Sequence, residues 1–445
     1  MSGSFTFRDI LGVYVPLLLS AMAQIIVGIA DVYFLGRLEP VEQAAGNYGF
    51  LIFLVISVVG LGLSHGLHVL VARKCGQGEP KAVSALVWHG AYLMGAYALA
   101  AFGGLRLALD DLLQAALRDD RLKAEVLIYC HHRAPELFFS LPALVLNAYF
   151  VGTARTRPVS IATGAGAIIN IFLDDVLIFG RFGWEAQRVA GAARATVFAQ
   201  VVVFFILLLF VSARRHRTYL RWRPAIPQST TLRNILSVSG PLFLQNGLSI
   251  VSWLLFFTLI ERADLQLLEA SSVVRAYYGL TLMPAIALSA TVSSMVSNLL
   301  GQNRSEQAPL LARRLFLTGI TFCWPWLLIT VFLYEPSLTV FSTHEEVVAL
   351  AAQTRWSLAL SVALLPAAFV LFPSITGTGL TRFTLLIEGA CLVVYLAYVD
   401  WVCSWEEPSL AWIWSSEALY HGMLGALAFV WHRWYYAPRF KVKFV

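Results

Sequence analysis

From Tyr48 to Ala72 the chain runs 25 residues without an Asp, Glu, Lys or Arg. A helix rises 1.5 Å per residue, so roughly 20 apolar residues cross a bilayer and this block is long enough. Comparable blocks follow at 11–35, 82–105, 127–150, 159–180, 189–212, 234–260, 270–299, 314–333, 350–374, 383–402 and 409–431. Lipid offers no partner to an open strand edge, so each block is read as a helix. The composition agrees: 58% of residues are hydrophobic and 13% charged, about half the charged share of a soluble domain. The expected fold is an all-α membrane protein with twelve transmembrane helices.

The net charge of +6 is distributed as a membrane protein requires, not as a nucleic-acid binder would place it. Basic residues occupy alternate loops: Arg73, Lys74 and Lys81; Arg155 and Arg157; Arg214, Arg215, Arg217, Arg221, Arg223 and Arg233; Arg304, Arg313 and Arg314; Arg382; and Arg433, Arg439, Lys441 and Lys443. The intervening loops hold acids such as Glu39, Glu42, Asp110, Asp111, Glu345 and Glu346. The positive-inside rule then puts both termini in the cytoplasm, which requires an even number of spans. Met1 to Ile10 lacks a basic n-region and a small-residue cleavage site, so no cleaved leader is expected. Cys75, Cys130, Cys323, Cys391 and Cys403 show no CxxC or CxxH spacing and read as thiols without metal or disulfide.

Four landmarks recur at one offset. Pro16 and Pro241, Gly76-Gln77 and Gly301-Gln302, Gly152 and Gly377, and Arg157 and Arg382 are each 225 residues apart (241 − 16, 301 − 76, 377 − 152, 382 − 157). Glycine and proline commonly mark span ends, so one such match means little, whereas four at one offset across six spans indicate duplication. Two halves are expected, 1–226 and 227–445, each a six-helix lobe. Six spans return a half to its starting side, so the bundles are parallel repeats of the kind that holds substrate between halves and alternates access by rocking.

Ionisable residues inside spans are costly, which makes them candidate sites. Asp31 lies five residues before Gly36 on the first span, Asp174 six before Gly180 on the fifth, and Thr196 enters the sixth span from the same side. Gln24 and Asp31 are two helical turns apart, and Asn170 and Asp174 are one turn apart, so each pair shares a face. Carboxylate, amide and hydroxyl oxygens at one depth suit a small hard cation such as sodium, or a proton shared between acids. Asp175 points away if Asp174 points in. Arg133 and Glu136, at i and i+3 on the fourth span, most simply neutralise each other; Glu136 and Glu388 stand as secondary candidates for a proton. Arg194 and Arg275 have no role assigned, and His65 and His68 read as packing residues. The 13% of aromatic residues suits a cavity for flat organic cations and equally suits interfacial belts. No nucleophile, P-loop or metalloprotease pattern is present, so no enzyme is expected.

The run Pro16 to Gln24 through Asp31-Val-Tyr-Phe-Leu-Gly36, the run Asn170-Ile-Phe-Leu-Asp174 to Gly180, and Val189 to Thr196 resemble the multidrug and toxic compound extrusion (MATE) family of prokaryotic type. That family lies within the multidrug/oligosaccharidyl-lipid/polysaccharide flippase superfamily, and the resemblance covers nearly the whole chain. It implies an essential acid at Asp31, a cation or proton site completed by Asn170, Asp174 and Thr196, Gln24 lining the same cavity, and a bend of the first helix at Pro16. A possible sodium ion would sit at Asp31, Asn170, Asp174 and Thr196. One branch carries acids in the seventh and tenth spans; here 245–258 and 357–376 contain none, which favours the N-terminal site. The function implied is a monomeric secondary antiporter of a prokaryotic inner membrane, exporting organic cations or drugs in exchange for H+ or Na+, without a cofactor. The alternative is a flippase-like exporter of a lipid-linked or amphipathic metabolite.

Overall fold

The computed structural model describes residues 5–213, 219–220 and 223–436. Arg214, Arg215, Arg217 and Arg221 of the basic connector, and Arg439, Lys441 and Lys443 of the tail, lie outside the described residues.

Among the described residues the chain is helical, with no strand. The first lobe's elements are α1 (Phe7–Leu35), α2 (Pro40–Gly76), α3 (Pro80–Leu107), the short α4 (Leu109–Ala116), α5 (Asp120–Arg133), α6 (Leu137–Gly152), α7 (Arg157–Phe179) and α8 (Arg188–Ser212). The second holds α9 (Ser229–Ala263), α10 (Leu265–Gly301), α11 (Ala308–Phe332), the short α12 (Tyr334–Leu338) and α13 (Glu345–Ala352), α14 (Arg355–Gly377), α15 (Thr381–Cys403) and α16 (Leu410–Trp431). Eleven of the described helices are long and apolar enough to cross a membrane, α5 and α6 counting as one. The twelfth expected span is α16, which has the length, but its Glu417, His421 and paired serines make it less apolar.

Local chemistry sets the ends. Asp119 and Asp264 each accept two backbone N–H bonds at the start of α5 and α10. Proline opens α2, α3, α7 and α11, where its missing N–H would have had no partner. Gly180 ends α7 at φ +71°, and a Cβ there would lie 2.6 Å from the Ala186 nitrogen, so no other residue fits.

The 225-residue offset governs helix ends as well as sequence landmarks. α2 and α10 end 225 apart (301 − 76), as do α3 and α11 (332 − 107) and α6 and α14 (377 − 152). The short helices obey it too: α4 and α12 start 225 apart (334 − 109), as do α5 and α13 (345 − 120).

The chain parts into two compact units, Val15–Ser239 and Met1–Tyr14 with Gly240–Val445. The boundaries fall one residue before Pro16 in α1 and one before Pro241 in α9, again 225 apart (240 − 15). In the C-terminal unit the start of α1 is held by Arg314 donating to the Phe5 carbonyl and by the Tyr14 hydroxyl donating to Pro284 O at 3.2 Å. In the N-terminal unit the approach to α9 is held by Gln228 N donating to His89 Nε2 at 2.8 Å and by Ser239 Oγ donating to Leu63 O at 3.3 Å.

The duplicated glycines are packing positions. A Cβ on Gly152 would lie 2.8 Å from His68 O, and one on Gly377 2.8 Å from Ser293 O, so α6 meets α2 as α14 meets α10, backbone against backbone.

Candidate functional site

α1 and α7 meet through a pair of hydroxyls. Thr163 Oγ1 donates to Ser20 Oγ at 3.1 Å, and 143 residues separate that pair, the same spacing as Asp31 and Asp174 (163 − 20, 174 − 31). The two spacings are equal, as they would be if α1 and α7 ran in the same direction. Ser20 Oγ also donates to Pro16 O at 3.0 Å, so the hydroxyl that links α1 to α7 belongs to the turn after the proline.

Asp31 and Asp174 lie near enough to act on each other electrostatically. Asp174 and Asn170 are each 1% exposed. Neither oxygen of Asp174 nor the amide of Asn170 has a hydrogen-bond partner among the described residues. Buried polar atoms are nearly always satisfied, so this group of unmatched atoms makes Asp174 and Asn170 the candidate site of the lobe. Asp175 faces elsewhere and pairs with Arg181 at 3.0 Å.

Arg133 and Glu136 come into the same neighbourhood. A 3-10 turn over Ala134–Glu136, containing Pro135, interrupts the fourth span between α5 and α6. At that break Arg133 Nε meets Glu136 Oε2 at 3.0 Å, Arg133 Nη1 donates to the Tyr129 hydroxyl at 2.7 Å, and the guanidinium lies 4.6 Å from the centre of the Phe53 ring. Both charges of the pair act on Asp31, and Arg133 acts on Asp174 as well. The local neutral pair expected from the sequence is present, and it doubles as the charged wall of the carboxylate site.

Beside this group lies a cavity of about 310 Å³ within the N-terminal lobe. Its polar lining comes from Gln24 on α1, Arg133 and Glu136, Asn147 on α6, Asn170 on α7, and Thr196 and Gln200 on α8. Thr196 Oγ1 gives its proton to Ala192 O at 3.1 Å, leaving the oxygen lone pairs for the cavity. Gln200 and Asn147 were not singled out in the sequence. Gln200 was detectable as i+4 to Thr196 on an otherwise apolar helix, whereas nothing local marks Asn147.

Glu388 does not join this group, because it lies in the other lobe. It is 4% exposed and accepts from Ser249 Oγ and from the Tyr420 hydroxyl, both at 2.8 Å. A second buried acid there, Glu417 on α16, accepts from the Tyr395 hydroxyl at 2.9 Å and escaped the sequence reading. Its signal was available: Glu417 is the one charged residue between Leu410 and Trp431. Among the described residues no cluster of three or more His, Cys, Asp or Glu forms a metal site, so a cation at Asp31 and Asp174 would rely on neutral oxygens for its remaining ligands.

Comparison with known proteins meets the same duplication. The family model MatE matches the chain twice, over residues 16–176 and 241–402, the two matches beginning at the repeated prolines. A probable multidrug resistance protein NorM of Thermotoga maritima is 26% identical over 348 residues, covering 77% of this chain and 73% of that protein. The multidrug resistance protein MdtK of Photorhabdus laumondii is 22% identical over 354 residues, covering 78% and 76%. Among solved structures, a MATE protein in complex with MaL6 superimposes with a TM-score of 0.90 at 17% identity, covering 98% of this chain and 96% of that one. An outward-facing multidrug resistance MATE transporter of the MOP superfamily gives 0.88 at 17%, with the same coverage. The two matched stretches take up most of the sequence, and the chain belongs to the MatE family, as a multi-pass membrane transporter and not an enzyme.

Proposed function

We propose that the protein is a secondary active antiporter that exports organic cations or drugs by alternating access, in exchange for protons or sodium ions bound at Asp31 and Asp174. The observation that supports this reading is the group of buried, unpartnered polar atoms of Asp174 and Asn170, with Asp31 near enough to act on Asp174. Two carboxylates in one apolar site cannot both stay ionised cheaply, so a cation enters between them or one of them takes up a proton. Asn170 and Thr196 supply neutral oxygens, and Gln24 lines the adjoining cavity. The multidrug names of the relatives support the substrate class.

Binding at Asp31 acts on the helix that carries Pro16. A proline removes one backbone bond and lowers the cost of two helix shapes, and Ser20 ties that turn to α7 through Thr163. Occupation of the site changes which shape is favoured, and the halves 1–226 and 227–445 rock accordingly. The doubled family match and the shared helix ends support this division into homologous halves. The protein acts as a monomer in a prokaryotic inner membrane with both termini cytoplasmic.

The test is efflux of a fluorescent organic cation from proteoliposomes under imposed pH or sodium gradients, one at a time. Efflux driven by at least one gradient is expected, and the gradient that drives it identifies the coupling ion. Failure with both, combined with transport of a lipid-linked substrate, would put the flippase-like alternative in place of this reading.

A further inference from the structure

One end of the C-terminal lobe carries an apolar groove of about 500 Å³ with a basic mouth. Its floor and walls include Leu310 and Phe316 of α11, Val370 and Leu371 of α14, and Phe429 of α16. At the mouth stand Arg313, five residues into α11, and Arg433, two residues past α16. Both arginines are exposed, no acid lines the groove, and neither arginine has an ion pair among the described residues. Trp434 beside Arg433 is 78% exposed and Phe429 55%, as expected for rings at a membrane boundary.

The N-terminal lobe treats the matching place differently. Arg313 corresponds to Trp88 (313 − 88 = 225), and that stretch of α3 is covered by the chain itself. Tyr92 donates through its hydroxyl to Ala225 O at 2.8 Å, and His89 accepts from Gln228 N. In the C-terminal lobe, Arg313, Phe316 and Phe429 remain exposed among the described residues.

We propose that this groove binds an anionic glycerophospholipid, with the phosphate held between Arg313 and Arg433 and one acyl chain lying along Phe316, Val370 and Phe429. Charge complementarity selects the occupant. Two guanidinium groups from separate helical elements line one groove with no carboxylate among its lining residues, and guanidinium is suited to a phosphate, which it can bind through two parallel N–H bonds. Apart from the arginines and His432 the lining is apolar, and a soluble anion would leave that part in contact with nothing. Basic pockets between transmembrane helices are the usual headgroup sites for anionic lipids, and the loops at this end, with Arg304 and Arg382, are basic too. The proposal does not depend on which ion drives transport.

The test uses delipidated full-length protein and native mass spectrometry, with phosphatidylglycerol, phosphatidylcholine and inorganic phosphate as separate probes. One phosphatidylglycerol should be retained in preference to phosphatidylcholine, and inorganic phosphate should neither bind nor displace it. The double variant Arg313→Gln/Arg433→Gln should lose roughly thirty-fold in affinity for phosphatidylglycerol. Thermal unfolding of that variant without lipid should match the parent, which separates loss of the site from loss of the fold. Removal of residues 437–445 should leave retention unchanged. Equal retention of the two lipids, an unaffected double variant, binding of inorganic phosphate alone, or a gain in lipid on removing the tail would each overturn the proposal.

Discussion

Four charged side chains of the N-terminal lobe can be followed 225 residues into the C-terminal lobe. Asp31, Arg133, Glu136 and Asp174 become Phe256, Leu358, Ser361 and Val399 (256 − 31, 358 − 133, 361 − 136, 399 − 174). Phe256, Leu358 and Val399 pack into one buried cluster, where Phe256 stacks on Tyr395 at 5.8 Å and meets Trp414 edge-on at 5.4 Å. Ser361 is fully buried and bonds the Tyr278 hydroxyl at 2.9 Å. The backbone also differs there. The 3-10 turn at Ala134–Glu136 corresponds in sequence to unbroken α14, and the interruption in the other lobe comes earlier, between α13 and α14. One scaffold was filled in two ways: the first lobe keeps a charged, incompletely satisfied site, while the second fills the same place with apolar mass.

The C-terminal lobe still has buried acids, but at other positions and with partners. Glu388 corresponds to Thr163 and Ser249 to Gln24 (388 − 163, 249 − 24), so the tie between its first and fifth spans is a carboxylate accepting a hydroxyl. In the N-terminal lobe the same tie is a pair of hydroxyls, Thr163 and Ser20. Two O–H donors on Oε1 of Glu388 suit a structural bond, whereas the unmatched oxygens of Asp174 suit a transient ligand.

The largest effect expected from this contrast is on stability. Phe256→Ala, which hollows out the apolar counterpart of Asp31, should cost about 3–5 kcal/mol in denaturant unfolding of the detergent-solubilised protein. A cost under about 1 kcal/mol would show that the C-terminal lobe does not use this position for packing. Next comes Asp174→Asn, which should lower gradient-driven efflux roughly a hundredfold while leaving the folded protein intact. Glu388→Gln, assayed alongside, should change efflux by much less; the reverse order would move the coupling site to the other lobe.

Smaller effects should be equal in the two lobes where the scaffold is shared. Gly152→Ala and Gly377→Ala each drive a methyl group into backbone of the neighbouring helix and should each cost about 1–3 kcal/mol. A large difference between them would break the equivalence of the lobes at that contact. The smallest effect concerns Glu39, whose counterpart Asp264 (264 − 39 = 225) accepts backbone N–H groups at the start of α10, whereas Glu39 pairs with Arg121 and Arg188. Hydrogen bonds from Arg188 and Arg121 hold the Glu39 carboxyl below the ordinary range of a glutamate. With the folded pKa depressed, its contribution is present above the ordinary value of about 4.3 and fades as pH falls through the lower folded value. The stability difference between parent and Glu39→Gln should therefore shrink on acidification below about pH 4.3. A difference that grew there would reverse the assigned sign.

Much of this was legible in the sequence because the bilayer limits the choices. Charge-free blocks had to be helices, and one repeated offset fixed two lobes. The expected shared depth of Asp31 and Asp174 came from their similar distances, five and six residues, to Gly36 and Gly180, and Asn170 from its place one turn before Asp174. The role of Arg133 was not legible: a charged pair at i and i+3 satisfies itself in any helix, and only the turn at Pro135 turns it toward α1 and α7. The short helices α4, α12 and α13 were read as loops, since each is too brief to show a period against its polar flanks. Glu417 is legible only as the one charged residue of α16; its tie to Tyr395 comes from helix packing that no local pattern shows.

The central claim is that Asp31 couples ion movement to export, and Asp31→Asn tests it most directly because the charge goes while the shape stays. In proteoliposomes under the pH or sodium gradient that drives the parent protein, the account predicts that efflux falls to the level of empty vesicles while the variant is expressed and unfolds like the parent. Efflux at the parental rate would contradict the account.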